Sequence, residues 1–182
     1  MYRTAMTGLL LLLLPGISVA AQPEEVAFPS GGLTLRGFIF RPAGDGPFPA
    51  VLYNHGSEKL PGTKAGIGEF FAGKGYVLFV PHRRGQGRSQ SQGEYIMDAV
   101  GRAGAARDGR LVEMQELHQA DVAAAAAYLR QLPYVDKSRI AVAGCSFGGI
   151  QTVLTAEKNL GLRAAVAFAP AAMTWAGSPM LR

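Results

Sequence analysis

Gly144-Cys145-Ser146-Phe147-Gly148 sets a serine hydroxyl among glycines, after an apolar run and before a helix-forming one. A serine attacks a carbonyl well only if its backbone presents it and a base accepts its proton. The spacing G-x-S-x-G at a strand-to-helix turn meets the first need. Gly144 and Gly148 remove side chains that would clash, so Ser146 is expected at the tip of a sharp, strained elbow. The Phe147 N–H opens the helix beside it, where an amide donor and the helix dipole can receive an oxyanion. Gly149 extends the close approach of helix and sheet. The chemistry implied is acyl transfer on a small-molecule ester or a peptide. Cys145, the better nucleophile as a thiolate, is one residue out of register and is expected to point away from the tip.

Asn54-His55-Gly56-Ser57 follows a short apolar strand and supplies the other half of an oxyanion site. A glycine there allows a tight turn at the carboxyl end of the strand, where open α/β sheets bind ligands. The N–H of Ser57, or that of Gly56, is the candidate second donor. His55 precedes the elbow in the chain and is expected to serve structural hydrogen bonds. His82 ends another strand on the same edge, with no acid partner evident, and is expected to anchor a loop. Both histidines are also candidates for substrate contact.

Other patterns fall away on their chemistry. Gly68 to Lys74 has the spacing of a phosphate loop, but its middle is bulky and Gly75 stands where a magnesium-binding hydroxyl is required. Gly144 to Gly149 lacks the spacing of a dinucleotide-binding loop. One cysteine and three scattered histidines offer no metal motif. Arg83, Arg84, Arg88, Arg102, Arg107 and Arg110 crowd one stretch. Without a recognition motif beside them they do not make a nucleic-acid surface, and a solvated or substrate-steering loop is expected.

The elements that must position these residues alternate. Glu24 to Phe28 and Leu33 to Phe40 are expected as strands about the turn Pro29-Ser30-Gly31-Gly32. Ala50 to Tyr53, Tyr76 to Val80, Ile140 to Ala143 and Ala164 to Ala169 are short apolar runs of buried-strand type. Ile67 to Lys74, Leu111 to Gln131 and Phe147 to Lys158 are the helices between them. This order predicts an α/β fold with a mostly parallel sheet and helices on both faces. The glycine-rich stretch from Gly85 to Arg110 is expected as a long substrate-contacting or disordered loop.

The chain of 182 residues is 48% hydrophobic, too apolar for a disordered protein. Arg3, the leucine run 9–14, Pro15-Gly16 and the small residues Ser18, Ala20 and Ala21 have the form of a secretory signal peptide over residues 1–21. That run is too short to remain as a membrane anchor. Its loss would remove Arg3 and no acid, lowering the net charge from +5 to +4. A secreted or periplasmic protein is expected, with its hydrolytic domain over residues 22–182.

These motifs resemble the α/β-hydrolase superfamily, in its dienelactone hydrolase-like and prolyl oligopeptidase-like branches. The resemblance rests on Tyr53-Asn54-His55-Gly56, on Pro81 to Ser89, and on Val135 to Ile140 leading into Gly144 to Gly149. It implies a Ser, Asp, His triad in that chain order and no cofactor. Dienelactone hydrolases proper use a cysteine nucleophile, so Ser146 implies an esterase- or peptidase-like relative. The resemblance also implies that acid and base follow the elbow. After Ser146 the chain has no histidine, and its only acid, Glu157, lies eleven residues on, about 16 Å along a helix. His118 sits mid-helix and is a poor substitute. The family order would place two further strands outside Ala164 to Ala169. A chain incomplete at its C-terminus, with the last strands missing and no turnover of its own, is therefore expected. The alternative is a non-catalytic binding module or inactive remnant.

Overall fold

Two glycines with φ of 53° and 82°, Gly31 and Gly32, turn the chain between β1 (Glu24–Ser30) and β2 (Leu33–Phe40). Positive φ at both central residues is what a tight two-residue hairpin turn requires. The structure, a computed structural model, describes residues 21–170. Four more strands follow: β3 (Phe48–Asn54), β4 (Val77–His82), β5 (Val135–Cys145) and β6 (Ala164–Phe168). Between them lie α1 (Ala65–Gly73), α2 (Ile96–Gly101), α3 (Arg107–Leu129) and α4 (Phe147–Glu157). The signal-peptide reading falls on residues outside the described ones.

The sheet has the order β1-β2-β4-β3-β5-β6. β1 and β2 are antiparallel to each other, and β2 to β4; β4, β3, β5 and β6 run parallel. β3 and β5 therefore lie side by side, although more than eighty residues separate them. Asn54, the last residue of β3, is paired with Gly144 of the elbow. One sheet edge thus collects both sequence motifs, as parallel topology demands of strand ends.

Alternation along each strand builds two cores. Leu35, Ile39, Leu52, Phe79 and Val142 pack on Val122, Ala125, Ala126 and Leu129 of α3. On the other face Phe38, Phe40, Val51, Leu78 and Val80 meet Ala72 and Phe71 of α1. Helices cover both faces, as expected. The decoy Gly68 has a packing role: a β-carbon there would overlap the Phe40 ring.

Two expectations change. The stretch from 85 to 110 is not a plain loop. It contains 3₁₀ turns at Gly87–Gln92 and Gly104–Ala106 and the helix α2. Ile96, Ala99 and Val100 bury themselves against Leu111 and Met114 of α3 and Phe147, Ile150 and Leu154 of α4. β5 starts five residues before the apolar run, because Val135 pairs with Phe48 ahead of an irregularity in the ladder, where Asp136 accepts from the Ser138 N–H (2.9 Å) and Arg139 Nε (2.6 Å). These polar, exposed residues conceal the strand's first half. β6 is the outermost strand among the described residues and is largely exposed, as expected of this strand without further strands outside it.

Candidate active site

Ser146 has φ 56° and ψ −122°, in a region that side-chain-bearing residues rarely occupy. Such a conformation costs about 1–3 kcal/mol and persists only where its surroundings over-determine it. They do. The Ser146 N–H donates to the Phe168 carbonyl of β6 (3.0 Å), and the Ser146 carbonyl accepts from the Ile150 N–H of α4 (3.1 Å).

The flanking glycines allow backbones to touch. A β-carbon on Gly144 would overlap the Gly148 carbonyl and stand 2.8 Å from Thr152 Oγ1. One on Gly148 would overlap the Asn54 carbonyl oxygen and stand 2.5 Å from that of His55. One on Gly149 would stand 2.8 Å from the Phe168 oxygen. The first turn of α4 is thereby seated on the end of β3. Phe147 opens α4, and N–H groups of a first helical turn have no partner inside the helix. Cys145 is exposed and shares the strand parity of Ala141 and Ala143, which face the α1 side. Ser146 is partly exposed at the turn itself.

Gly56 and Ser57 leave β3 beside this elbow. The ideal β-carbon position of Gly56 is 3.6 Å from the Cys145 carbonyl oxygen. Arg83, only 1% exposed, reaches under the loop from the end of β4. Its Nη2 donates to the carbonyls of His55 (2.9 Å) and Gly56 (2.6 Å). Gln86 Nε2 donates to the Glu58 carbonyl (2.8 Å), and the Gly87 N–H donates to that of Lys59 (2.8 Å). The Tyr95 hydroxyl donates to the Ser57 carbonyl (2.6 Å). Residues of the 85–110 stretch thus brace the loop after β3 through Gln86, Gly87 and Tyr95.

The arginine run divides: Arg88, Arg102 and Arg107 are exposed, as expected, whereas Arg84 and Arg110 are half-buried. Arg83 is buried. Arg84 grips the buried Asp121 with Nη2 at 2.7 Å, and Arg88 pairs with Glu25 at 3.0 Å. Arg102 and Arg110 both pair with Glu94. Asp121 also accepts from the Ser30 hydroxyl (2.8 Å) and the Arg84 N–H (3.0 Å), tying α3 to β1 and to the end of β4.

Both histidines offered for substrate contact are buried. His82 Nδ1 accepts from the Arg88 N–H (2.9 Å), which leaves Nε2–H to donate to the Gly62 carbonyl (3.0 Å). It forms the floor of a groove of about 330 Å³ with Phe38, Leu60, Thr63 and Gln90, but is itself 2% exposed. His55 is 1% exposed, with Nδ1 3.0 Å from its neighbour's carbonyl at Gly56. His82 thus bonds the backbone of two loops, at Gly62 and Arg88. His118 lies buried on α3, beside Arg83 and Arg84 at the end of β4.

Burial foremost lowers the pKa of all three imidazoles, with the Arg83 charge adding to it; for His55 and His118 the fall is large. The unfolded chain therefore binds more protons near and below pH 6.5 than the folded one. Stability is full above that value and is lost as pH falls toward the depressed folded values. The urea midpoint is expected to be lower at pH 5.5 than at pH 7.5. An equal or higher midpoint at pH 5.5 would contradict neutral, buried imidazoles.

Arg83, Gln86, Tyr95 and Asp121 were not picked out by residue pattern. A run of arginines carries no sign of which one will be buried, and Asp121 looks like any polar residue of an amphipathic helix. Their only prior signal was the place of Arg83 and Gln86 within Pro81 to Ser89.

The sheet order, the helices on both faces and the strand–elbow–helix connection define an α/β-hydrolase fold. The dienelactone hydrolase family model matches residues 35–179, and the chain belongs to that family. It is 27% identical to the quorum-quenching protein AidA of Acinetobacter baumannii (strain MDR-ZJ06), over 84% of this chain and 45% of that protein. It is 30% identical to the uncharacterized peptidase YtmA of Bacillus subtilis (strain 168), over 78% of this chain and 48% of the relative. The chain thus spans about half the length of these curated relatives. The acylaminoacyl peptidase of Pyrococcus horikoshii superposes with a TM-score of 0.61 at 23% identity, over 82% of this chain and 23% of that one. At that identity the likeness speaks for the fold.

Proposed function

We propose that this chain carries the nucleophile half of an exported serine hydrolase acting on an ester or peptide bond. The observation that carries this reading is the Ser146 backbone, held at a positive φ between β5 and the start of α4. Ser146 Oγ bonds to the acyl carbon, and its proton passes to a base and on to the departing alcohol or amine. Water then cleaves the acyl-serine to release the acid and restore the hydroxyl. The N–H groups of Phe147 and Ser57, or Gly56, hold the oxyanion formed on the way. This chemistry uses no cofactor. The acid and histidine of a triad are absent from this chain, so its own turnover is small. The leader over residues 1–21 directs the protein to the periplasm or out of the cell.

The test supplies the base from outside. The folded chain alone is expected to hydrolyse a p-nitrophenyl ester barely above background. Added imidazole should produce one acyl group per chain, located by peptide mass on Ser146 and absent from Ser146→Ala. No adduct at Ser146 would favour a binding module instead. Substantial turnover without imidazole, abolished by Ser146→Ala, would reveal a working base inside the chain and overturn the incomplete-triad account.

A further inference from the structure

We infer that Arg83, assisted by Gln86, is a positioning residue that aims the second oxyanion donor; the inference rests on the reading of Ser146 as nucleophile. The Gly56 carbonyl is gripped from below by three groups: Arg83 Nη2 at 2.6 Å, His55 Nδ1 at 3.0 Å and Gln86 Nε2 at 3.4 Å. The His55 carbonyl takes the other Nη2 proton at 2.9 Å. Nη2 also lies 3.1 Å from His55 Nδ1, so guanidinium, imidazole and the two carbonyls form one cluster. Arg83 Nε donates in turn to Gln86 Oε1 (3.2 Å), so the guanidinium and the amide act as one plate.

The consequence follows from peptide geometry. The peptide units 55–56 and 56–57 are planar and trans, so each N–H points opposite its own carbonyl. Drawing both carbonyls into the interior turns the Gly56 and Ser57 N–H groups outward, on the side where Gly56 stands beside the Cys145 carbonyl. A cation on the carbonyl also polarises the same peptide unit, which strengthens its N–H as a donor. Tyr95 holds the next carbonyl, Ser57, and so limits rotation of the loop beyond the donor.

Burial lowers the Arg83 guanidinium to about 10, opposed by the carboxylates of Asp121 and Glu58. It is charged at neutral pH. A buried guanidinium spent on two loop carbonyls is costly unless their orientation matters.

The experiment measures imidazole-assisted acylation of Ser146 in the full chain, as a saturable function of ester concentration. Amide hydrogen exchange of residues 54–59 is followed beside it. Arg83→Lys, which keeps the charge but not the fork, is expected to lower the maximal acylation rate by about 100-fold. The half-saturating ester concentration should stay unchanged, and exchange should rise in residues 54–59 alone. Arg83→Met should lose more. Gln86→Ala, which spares the cation, should lose several-fold in rate at wild-type thermal stability, and it serves if the Arg83 variants do not fold. A folded Arg83→Lys chain with wild-type acylation and exchange would overturn the inference, as would an unchanged Gln86→Ala chain if that alone folds. Absence of any adduct on the wild type would defeat the nucleophile reading instead, while the exchange data would still judge the orientation of the loop.

Discussion

Gly148→Ala is expected to lower the melting temperature by about 10 °C or more. The added methyl has nowhere to go: its position overlaps the Asn54 carbonyl oxygen and lies 2.5 Å from that of His55. Both obstacles are backbone at the end of a central strand, and neither can swing aside as a flexible side chain would. Relief requires α4 to lift from β3, against the burial of Phe147, Ile150 and Leu154. Overpacking of a well-packed site costs about 1–3 kcal/mol, and a rigid backbone obstacle puts this case at the top of that range or beyond. At about 2–4 °C per kcal/mol for a chain of this size, the shift follows. The same movement separates the Phe147 N–H from Ser57, so imidazole-assisted acylation of Ser146 should fall even in the folded fraction. Gly66→Ala is the control. Nothing lies within 4 Å of its β-carbon position on α1, and alanine suits a helix better. Melting curves for the two variants decide the matter. A Gly148→Ala chain within two or three degrees of wild type would mean that the contact between elbow and β3 is looser than described.

Asp121→Ala should rival it. The carboxylate is buried and accepts from the Ser30 hydroxyl, the Arg84 N–H and the Arg84 guanidinium. Removing one partner of a buried pair leaves the other charge and several donors unpaired, typically a loss of about 3–5 kcal/mol. Asp121→Asn keeps an acceptor for Ser30 or the Arg84 N–H but loses the charge, and should fall between wild type and alanine. Urea denaturation read by circular dichroism measures both. The damage should reach the site, because Asp121 also opposes the burial cost of the Arg83 charge. A loss below about 1 kcal/mol for Asp121→Ala would show the triangle of α3, β1 and β4 to be a surface pair, worth little.

Much of this protein is local in the chain, and the local parts were legible. Apolar runs of strand length at 50–53, 76–80, 140–143 and 164–169 marked strands because a buried strand needs apolar residues on both faces. Gly144 to Gly149 announced the elbow because only glycine permits backbones to touch there. What lay beyond the sequence were the facts set by which strands become neighbours. Pairing of β3 with β5 brings Asn54–Ser57 against Gly144–Gly148. Docking of the β4 end beneath β3 turns one arginine of six into the floor of the His55–Gly56 loop. The helix α2 was hidden because six residues between glycines show no period, and it exists only through its contacts with α3 and α4. Side-chain type and spacing thus determine which groups can react, whereas long-range packing and the low dielectric it creates decide which are held, aimed and kept neutral.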